Sequence, residues 1–253
     1  MINIQGTIAS EERLRWLNER LTTGGSVTIA DSAEALGVSH MTIRRDLVEL
    51  EERGTARRVR GGAKAVGPQT FDMRHHTSAR AKSRIAAKLA EFIPESGAIA
   101  LDASSTVLRL TSALRDVRDI VVLTNGPETF AALQDLPGVA PLLTGGALDQ
   151  RTGSLVGPLA CRAASQLSVG TFFASAAAIA VNTGALEATL EDAEVKRCLA
   201  ANAERVIVGI DASKLDARGL ALGIEWGQVD LLVTDLAASD ERLAPFRAVV
   251  EVV

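Results

Sequence analysis

The stretch Gly37-Val38-Ser39-His40-Met41-Thr42-Ile43-Arg44-Arg45-Asp46-Leu47-Val48-Glu49-Leu50-Glu51-Glu52-Arg53-Gly54 decides how the chain reads. Ser39 is a good N-cap, because its hydroxyl can accept a bond from an otherwise unpaired amide of the first turn. Gly54 suits the left-handed residue that closes a helix. Between them Ile43, Leu47 and Leu50 share one stripe at helical spacing and form the face that packs inward. Met41 and Arg45 lie opposite that stripe, with Thr42 and Arg44 on its flanks. Apolar surface, hydroxyls and two guanidinium forks are what can read base edges in a major groove.

The neighbouring segments complete a pattern. Ile29 to Leu36 predicts a short amphipathic helix with Ile29, Ala33 and Leu36 on one side, and Gly37-Val38 makes a tight turn. That is a helix-turn-helix. Downstream, Arg57-Arg58-Val59-Arg60-Gly61-Gly62-Ala63-Lys64 predicts a two-stranded hairpin turning at Gly61-Gly62. From Arg53 through Lys64 there are four Arg, one Lys and no acid, a wing suited to phosphates or a minor groove. Upstream, Ser10 to Thr22 predicts a first helix with Leu14, Leu17 and Leu21 inward and Trp16 on or near that face. Gly24-Gly25 breaks it, and Ser26-Val27-Thr28 can add a short strand beside the wing. The order of these elements points to double-stranded DNA as a partner. The candidate contacts are Ser39, His40, Met41, Thr42, Arg44, Arg45, Arg57, Arg58, Arg60 and Lys64.

The whole chain narrows this further. Its 253 residues, 47% hydrophobic and 23% charged, have the balance of a soluble globular protein with room for one large domain or two of ordinary size. A net charge of −4 argues against indiscriminate coating of nucleic acid. Residues 1–66 hold ten of the 27 Lys and Arg and nine of the 31 Asp and Glu, so DNA contact should be local to the wing and helix. Two cysteines, Cys161 and Cys198, make no disulfide framework and suggest a reducing compartment. Three histidines, with His75-His76 in a polar linker, give no metal site. Met1-Ile2-Asn3 opens no signal peptide, and Phe172 to Val181 is too short to span a membrane. A cytoplasmic protein is expected.

Residues 1–66 therefore read as the DNA module and 67–78 as a linker, with the breakers Gly67-Pro68-Gln69-Thr70 at the boundary. Thr77 or Ser78 then caps a helix running from about Ala79 to Phe92, with Ile85, Leu89 and Phe92 on one face. Beyond it apolar runs alternate with helices: Ala98 to Leu101, Ile120 to Leu123, Ala140 to Leu143, Phe172 to Ala176, Val206 to Ile210 and Leu231 to Thr234. Continuous apolar strands of this kind indicate a mostly parallel sheet covered on both faces, with ligands at the carboxyl ends. Those ends hold Asp102, Ser104 to Thr106, Thr124-Asn125, Gly145-Gly146 and Asp211. Asp102-Ala103-Ser104-Ser105-Thr106 is a strand-to-helix turn rich in hydroxyls, where helix amides welcome an anion. Ordinary N-capping by Ser104 or Ser105 accounts for the same residues. Asp102, an acceptor, suits a sugar hydroxyl better than a phosphate.

The chain resembles the DeoR family of bacterial transcription regulators. Arg13, Leu17 and Leu21 stand at the family's spacing, Ser39 and Thr42 to Leu47 match its motif without a gap, and Gly61-Gly62-Ala63 matches its wing ending. The resemblance implies an α/β architecture: an N-terminal winged helix-turn-helix, then a Rossmann-like sensor domain similar to ribose-5-phosphate isomerases and CoA transferases. It implies a phosphorylated sugar or polyol as effector and a carbohydrate-metabolism operon as target, usually repressed, with no cofactor. Thr124-Asn125, Gly145-Gly146, Gly157, Glu194 with Lys196, and Asp211 with Lys214 match the family, which places a lysine facing the ligand at Lys196. The expected effector set is thus Asp102, Ser104, Ser105, Thr106, Thr124, Asn125, Gly145, Gly146, Lys196, Asp211 and Lys214. Two positions depart from the family: Ser104 where its turn has glycine, and Ala178 where it usually has glycine.

A sugar-phosphate isomerase with an accessory DNA module is the alternative. Proton shuttling needs a positioned carboxylate base and usually a second acid. Gly170 through Leu186 contains no acid, and Glu187, Glu191, Asp192 and Glu194 read as loop and helix surface. A regulator rather than an enzyme is expected. One helix-turn-helix covers few base pairs, so a homo-oligomer, dimer or tetramer, is expected through residues 79–253.

Overall fold

A computed structural model describes residues 5–53, 55–65, 71–215 and 217–253. The cap expected at Gly54 and the boundary expected across Val66 to Thr70 lie outside them. The chain divides into two compact units, Met1–Arg74 and His75–Val253.

In the first unit, helix α1 (Gln5–Gly24) is followed by β1 (Ser26–Thr28), α2 (Ile29–Leu36), α3 (His40–Glu52), β2 (Ala56–Val59) and β3 (Gly62–Ala65). Helix α1 starts at Gln5 rather than at Ser10. Leu14, Leu17 and Leu21 of α1 meet Ile43, Leu47 and Leu50 of α3 in one buried cluster, which Val27, Ala33, Ala56 and Ala63 complete. Trp16 packs against that cluster, with the Arg20 guanidinium 5.0 Å from its ring centroid. The turn between α2 and α3 forms as the sequence dictates: Gly37 adopts φ +63° and Ser39 accepts a bond from the Thr42 amide at 3.1 Å.

The three strands pair in the order β1-β3-β2, all antiparallel. The hairpin turns at Arg60-Gly61 rather than at Gly61-Gly62, because Val59 already pairs with Gly62. The two glycines serve different needs. Gly61 supplies the left-handed residue at φ +87°, whereas a Cβ on Gly62 would lie 1.9 Å from the Val27 carbonyl oxygen.

A buried ion pair ties α1 to α3. Arg13 Nε donates to Asp46 Oδ2 at 2.8 Å and Nη2 donates to Oδ1 at 3.0 Å, with the two side chains 11% and 2% exposed. These hydrogen bonds hold the Arg13 guanidinium above its usual range.

Helix α4 (Phe71–His76) carries the chain across the division after Arg74, and in the second unit α5 (Ala79–Ala90) is followed by β4 (Gly97–Leu101), β5 (Ile120–Thr124), α6 (Pro127–Leu133), β6 (Val139–Leu143), β7 (Ala147–Asp149), β8 (Ser154–Val156) and α7 (Pro158–Ser165). Next come β9 (Val169–Ala174), β10 (Ala178–Ala180), β11 (Gly184–Glu187), α8 (Leu190–Ala201), β12 (Ala203–Ile210), β13 (Ala221–Glu225), β14 (Leu231–Thr234), α9 (Ala244–Arg247) and β15 (Glu251–Val252). Three expectations need correction. The segment read as a linker carries helix α4. Ser78 precedes α5 at φ +54° and makes no side-chain cap, so it supplies a left-handed turn instead of a capping hydroxyl. The helix ends at Ala90, short of Phe92.

Seven strands form a sheet in the order β15-β14-β12-β9-β4-β5-β6, every neighbouring pair parallel. Alternate residues feed opposite faces, as a two-residue period requires. Phe172, Val206, Val208 and Leu232 join one cluster with Ala160, Ala164, Val195 and Leu199 of α7 and α8. Phe173, Ile207, Leu231 and Val233 join the other with Ile85, Leu89, Leu110 and Leu114. A three-stranded sheet, β10-β11-β13, and the hairpin β7-β8 stand beside this core.

Strand β6 reads as a core strand but lies at the edge, with Leu142 and Leu143 42% and 38% exposed. Ile120 donates to the Gly138 carbonyl and Thr144 donates to the Thr124 carbonyl, so even-numbered positions face β5 and Pro141 faces outward. A residue without an N–H blunts that edge against further strands. Among the described residues no helix is long and apolar enough to cross a membrane.

Arg13→Ala should destabilise the first unit by about 3–5 kcal/mol, since it leaves Asp46 buried and unpaired. Replacing both partners, Arg13→Met with Asp46→Leu, should recover most of that loss. Urea unfolding followed by Trp16 fluorescence in a Trp226→Phe background measures both; equal stabilities for Arg13→Ala and its parent would refute the role given to the pair.

Candidate functional site

Helix α3 presents a continuous outward face. Met41 is 70% exposed, and His40, Arg44 and Arg45 are exposed beside it. Ser39 and Thr42 share a hydroxyl hydrogen bond at 2.9 Å, so both first serve to start the helix. In the wing, register places Ser26, Lys64 and Arg57 in one cross-strand row, on the face opposite the buried Val27, Ala63 and Ala56. Two like charges side by side repel, and an anion between them removes the cost. Arg60 is exposed at the turn. Arg58 differs from the sequence expectation: its Nε donates to Glu51 Oε2 at 2.6 Å and its amide donates to Glu51 Oε1 at 2.8 Å. Those bonds lower the Glu51 carboxyl and tie the wing to α3. Arg58 braces the wing instead of offering a free cation.

The second site lies where β4, β5 and β9 end. Asp102 is fully buried, with Oδ1 accepting from the Ser104 amide at 2.9 Å and Oδ2 accepting from the Ser175 amide at 2.8 Å. Lys196 Nζ of α8 pairs with Asp102 Oδ2 at 2.9 Å and Glu187 Oε1 at 2.7 Å, and donates to the Ser175 carbonyl. Burial works against each charge here. It would lower the Lys196 ammonium, but Asp102 and Glu187 outweigh it and raise Lys196, which stays charged. Burial would raise Asp102, but Lys196 and the bonds from Ser104 and Ser175 bring it below its usual value. For Glu187 burial wins, and its carboxyl is raised.

Two expectations are corrected by this cluster. Asp102, read as a partner for a sugar hydroxyl, already has both oxygens engaged and instead holds the β4 turn, the β9 end and Lys196 together. Glu187, read as surface, is the last residue of β11 and 6% exposed. Asp192, read likewise, is 8% exposed and accepts a bond from Ser154. Glu194, matched to the family beside Lys196, is exposed and pairs with Arg197.

The hydroxyl turn is mixed in character. Ser104 Oγ accepts from the Val107 amide at 3.1 Å, which is capping. The element it caps is a 3-10 helix, Val107–Leu114, where the sequence predicts an ordinary helix. The amides of Ser105 and Thr106 have no acceptor among the described residues. Lys82 Nζ donates to Ser105 Oγ at 3.1 Å, although Lys82 is only 3% exposed. Ser175 Oγ lies 3.5 Å from Thr106 Oγ1, and Lys214 Nζ donates to Ser175 Oγ at 3.3 Å. Lys82 and Ser175 escaped the sequence reading. The signal for Lys82 was present: Lys82, Ile85 and Leu89 share one helical stripe, and a lysine on a buried stripe needs a reason.

The remaining residues frame the site. Thr124 Oγ1 accepts from the Gly126 amide at 3.0 Å. Asn125 Nδ2 donates to the Leu155 carbonyl at 3.2 Å, leaving a buried Oδ1 without a donor among the described residues. Gly145 and Gly146 adopt φ +69° and +115°, and a Cβ on Gly146 would sit 2.6 Å from the Val156 carbonyl oxygen. Asp211 caps the turn that carries Lys214, accepting from the Ser213 amide at 3.1 Å.

Comparison with known proteins finds a family match over both parts of the chain. Residues 13–69 match the DeoR-like helix-turn-helix domain and residues 77–236 the DeoR C terminal sensor domain. The chain is 32% identical to the transcriptional repressor AccR of Agrobacterium fabrum, over 90% of each chain. It is 32% identical to the HTH-type transcriptional repressor GlcR of Bacillus subtilis, over 89% of this chain and 88% of that one. It is 29% identical to the L-fucose operon activator of Haemophilus influenzae, over 90% and 91%. Among solved structures, ribose 5-phosphate isomerase from Plasmodium falciparum overlaps 55% of this chain and 54% of its own at 16% identity, with a TM-score of 0.40.

Arg45→Ala should cost about 1–3 kcal/mol on a specific duplex and relax base preference. Arg57→Ala should weaken all duplexes alike and reduce the salt slope by about one, whereas Arg58→Ala should change the slope less. Binding isotherms on specific and scrambled duplexes across salt concentrations separate these, and equal loss on both for Arg45→Ala removes it from base reading. At the second site, Asp102→Asn should destabilise the fold by about 3–5 kcal/mol at neutral pH. A carboxyl lowered by folding stabilises above its unfolded value and loses that contribution as the pH falls through its folded value. Urea unfolding of the two proteins should therefore converge in acid; a gap constant with pH would contradict the assignment.

Proposed function

The chain belongs to the DeoR family of transcriptional regulators, and we propose that it represses a carbohydrate-metabolism operon under the control of a phosphorylated sugar or polyol. In this reading residues 1–66 bind double-stranded operator DNA, 67–78 connect, and 79–253 hold the effector and pair the subunits of a dimer or tetramer. The protein works in the cytoplasm. One observation carries the effector: Lys82, Lys196 and Lys214 converge with Asp102 and Glu187 on the hydroxyls of Ser105, Thr106 and Ser175. Ammonium groups beside the hydroxyls of Ser105 and Ser175, and beside the amides that open Val107–Leu114, suit a phosphate.

Phosphate supplies the affinity, and the buried Asn125 Oδ1 accepts from a sugar hydroxyl. Gly145, Gly146, Thr124 and Asp211 complete the effector set, and effector binding releases the operator. An isomerase reading is weaker, because Lys196 and the bonds from Ser104 and Ser175 lower Asp102 and make it a poor base, and Glu187 is bonded to Lys196. A thermal-shift screen of sugar phosphates identifies the effector, since a ligand at 100 times its dissociation constant adds about 2.7 kcal/mol.

Ser105→Ala with Thr106→Val should abolish the response to effector while leaving operator binding intact, and the dephosphorylated sugar should have no effect on the wild type. Titrating operator complexes with both compounds measures each. A double variant that responds normally, or a free sugar as effective as its phosphate, rejects the phosphate reading.

A further inference from the structure

We propose that Arg109 is a positioning residue that couples effector occupancy at Ser105 and Thr106 to the segment of chain arriving at His75, through a rewinding of the 3-10 helix between them. The inference rests on the regulatory reading above and adds the element that transmits it. Helix Val107–Leu114 is eight residues long. Runs of 3-10 beyond three or four residues are uncommon, because their hydrogen bonds are poorer and side chains three apart eclipse. Nothing in Val107-Leu108-Arg109-Leu110-Thr111-Ser112-Ala113-Leu114 forbids an α-helix: it contains neither Pro nor Gly. Its buried residues Val107, Leu110 and Leu114 keep the spacing of an α-helical stripe. The sequence therefore accommodates two windings, and its surroundings select the tighter one.

Arg109 is what the winding positions. Its Nη2 donates to the His75 carbonyl at 3.0 Å and its Nη1 donates to Ser83 Oγ at 3.4 Å. Its Nε is buried without an acceptor among the described residues, so the guanidinium gives up one bond to make these. His75 is the first residue of the second unit and lies at the end of α4, through which the chain arrives from the first. A cleft of about 460 Å³, lined by Ser83, Ala87, Leu108, Arg109 and Ser112, lies along the 3-10 helix and leaves it room to move.

An anion on the Ser105 and Thr106 amides favours the aligned dipoles of an α-helix behind it. An α-helix rises ~1.5 Å per residue against ~2.0 Å for a 3-10 helix, so rewinding eight residues shortens the element by about 4 Å. Arg109, three residues past Thr106, turns by roughly 60° about the axis and leaves the His75 carbonyl. Occupancy is thereby converted into release of the segment that ends at His75.

The test uses the full chain, a duplex selected in vitro by the wild type, and inorganic phosphate, glycerol phosphate, pentose phosphates and hexose phosphates at constant ionic strength. The most effective of these should change wild-type duplex affinity by about 5–150-fold, the usual span of an allosteric coupling. Arg109→Met lacks the bond to His75 from the outset, so without the compound it should bind the duplex about as wild type does with it, while the coupling factor falls towards one. Arg109→Lys, which keeps the charge without the fork, should also lose most of the coupling and guards against a misfolded first variant. In the wild type, amides 110–114 should gain hydrogen-exchange protection with the compound. A wild-type coupling factor in either variant overturns the assignment of Arg109, and unchanged protection overturns the rewinding. If no compound alters duplex affinity in the wild type, the regulatory reading itself fails and Arg109 with it.

Discussion

A buried ammonium must be matched by carboxylates and hydrogen bonds or it cannot stay charged, and Lys196 meets that condition only when four separate elements are in place. Asp102 arrives from the end of β4, the Ser175 carbonyl from the end of β9, Glu187 from β11 and Lys196 itself from α8. Removing any one leaves a charge in low dielectric, which costs more than the assembled cluster contributes. The cluster therefore works less as a source of stability than as a condition on geometry. It fixes the ends of the strands, and with them the turn Ser104–Thr106 and the approach of Lys82 and Lys214.

The first unit uses the same device on a smaller scale. Asp46 is buried at 1% exposure and satisfied by the fork of Arg13, which sets the angle at which α3 leaves the core. In both units a paired carboxylate is spent on position, and the groups left for a ligand are exposed cations or hydroxyls nearby. Arg58 extends the pattern, since its bonds to Glu51 brace the wing that displays Arg57 and Lys64.

Legibility in the sequence followed the range of the interaction. Helix α2 runs from Ile29 to Leu36 as its apolar spacing requires, and Ser39 opens α3 through a hydroxyl that accepts from the amide three residues on. Strands β5 and β12 were visible as apolar runs because both their faces are covered. The same rule misled at β6, where an apolar run occupies an edge and Pro141 faces outward. Glu187 was misjudged because nothing within four residues of it shows that Lys196 will cancel its charge.

The sequence alone determined what local periodicity and short motifs can carry: a winged helix-turn-helix, a parallel α/β sheet behind it, and membership of the DeoR family. These depend on residues a few positions apart, where backbone geometry fixes which side chains share a face. Only the tertiary structure decided which lysines meet which hydroxyls, that Asp102 pairs with Lys196, that Arg58 is engaged, and that Val107–Leu114 winds as a 3-10 helix. Those outcomes join residues such as Lys82 and Ser105, or Asp102 and Ser175, whose separation along the chain is closed by packing alone. Charge and hydrogen bonding follow distance in space, and that distance does not exist until the sheet has formed.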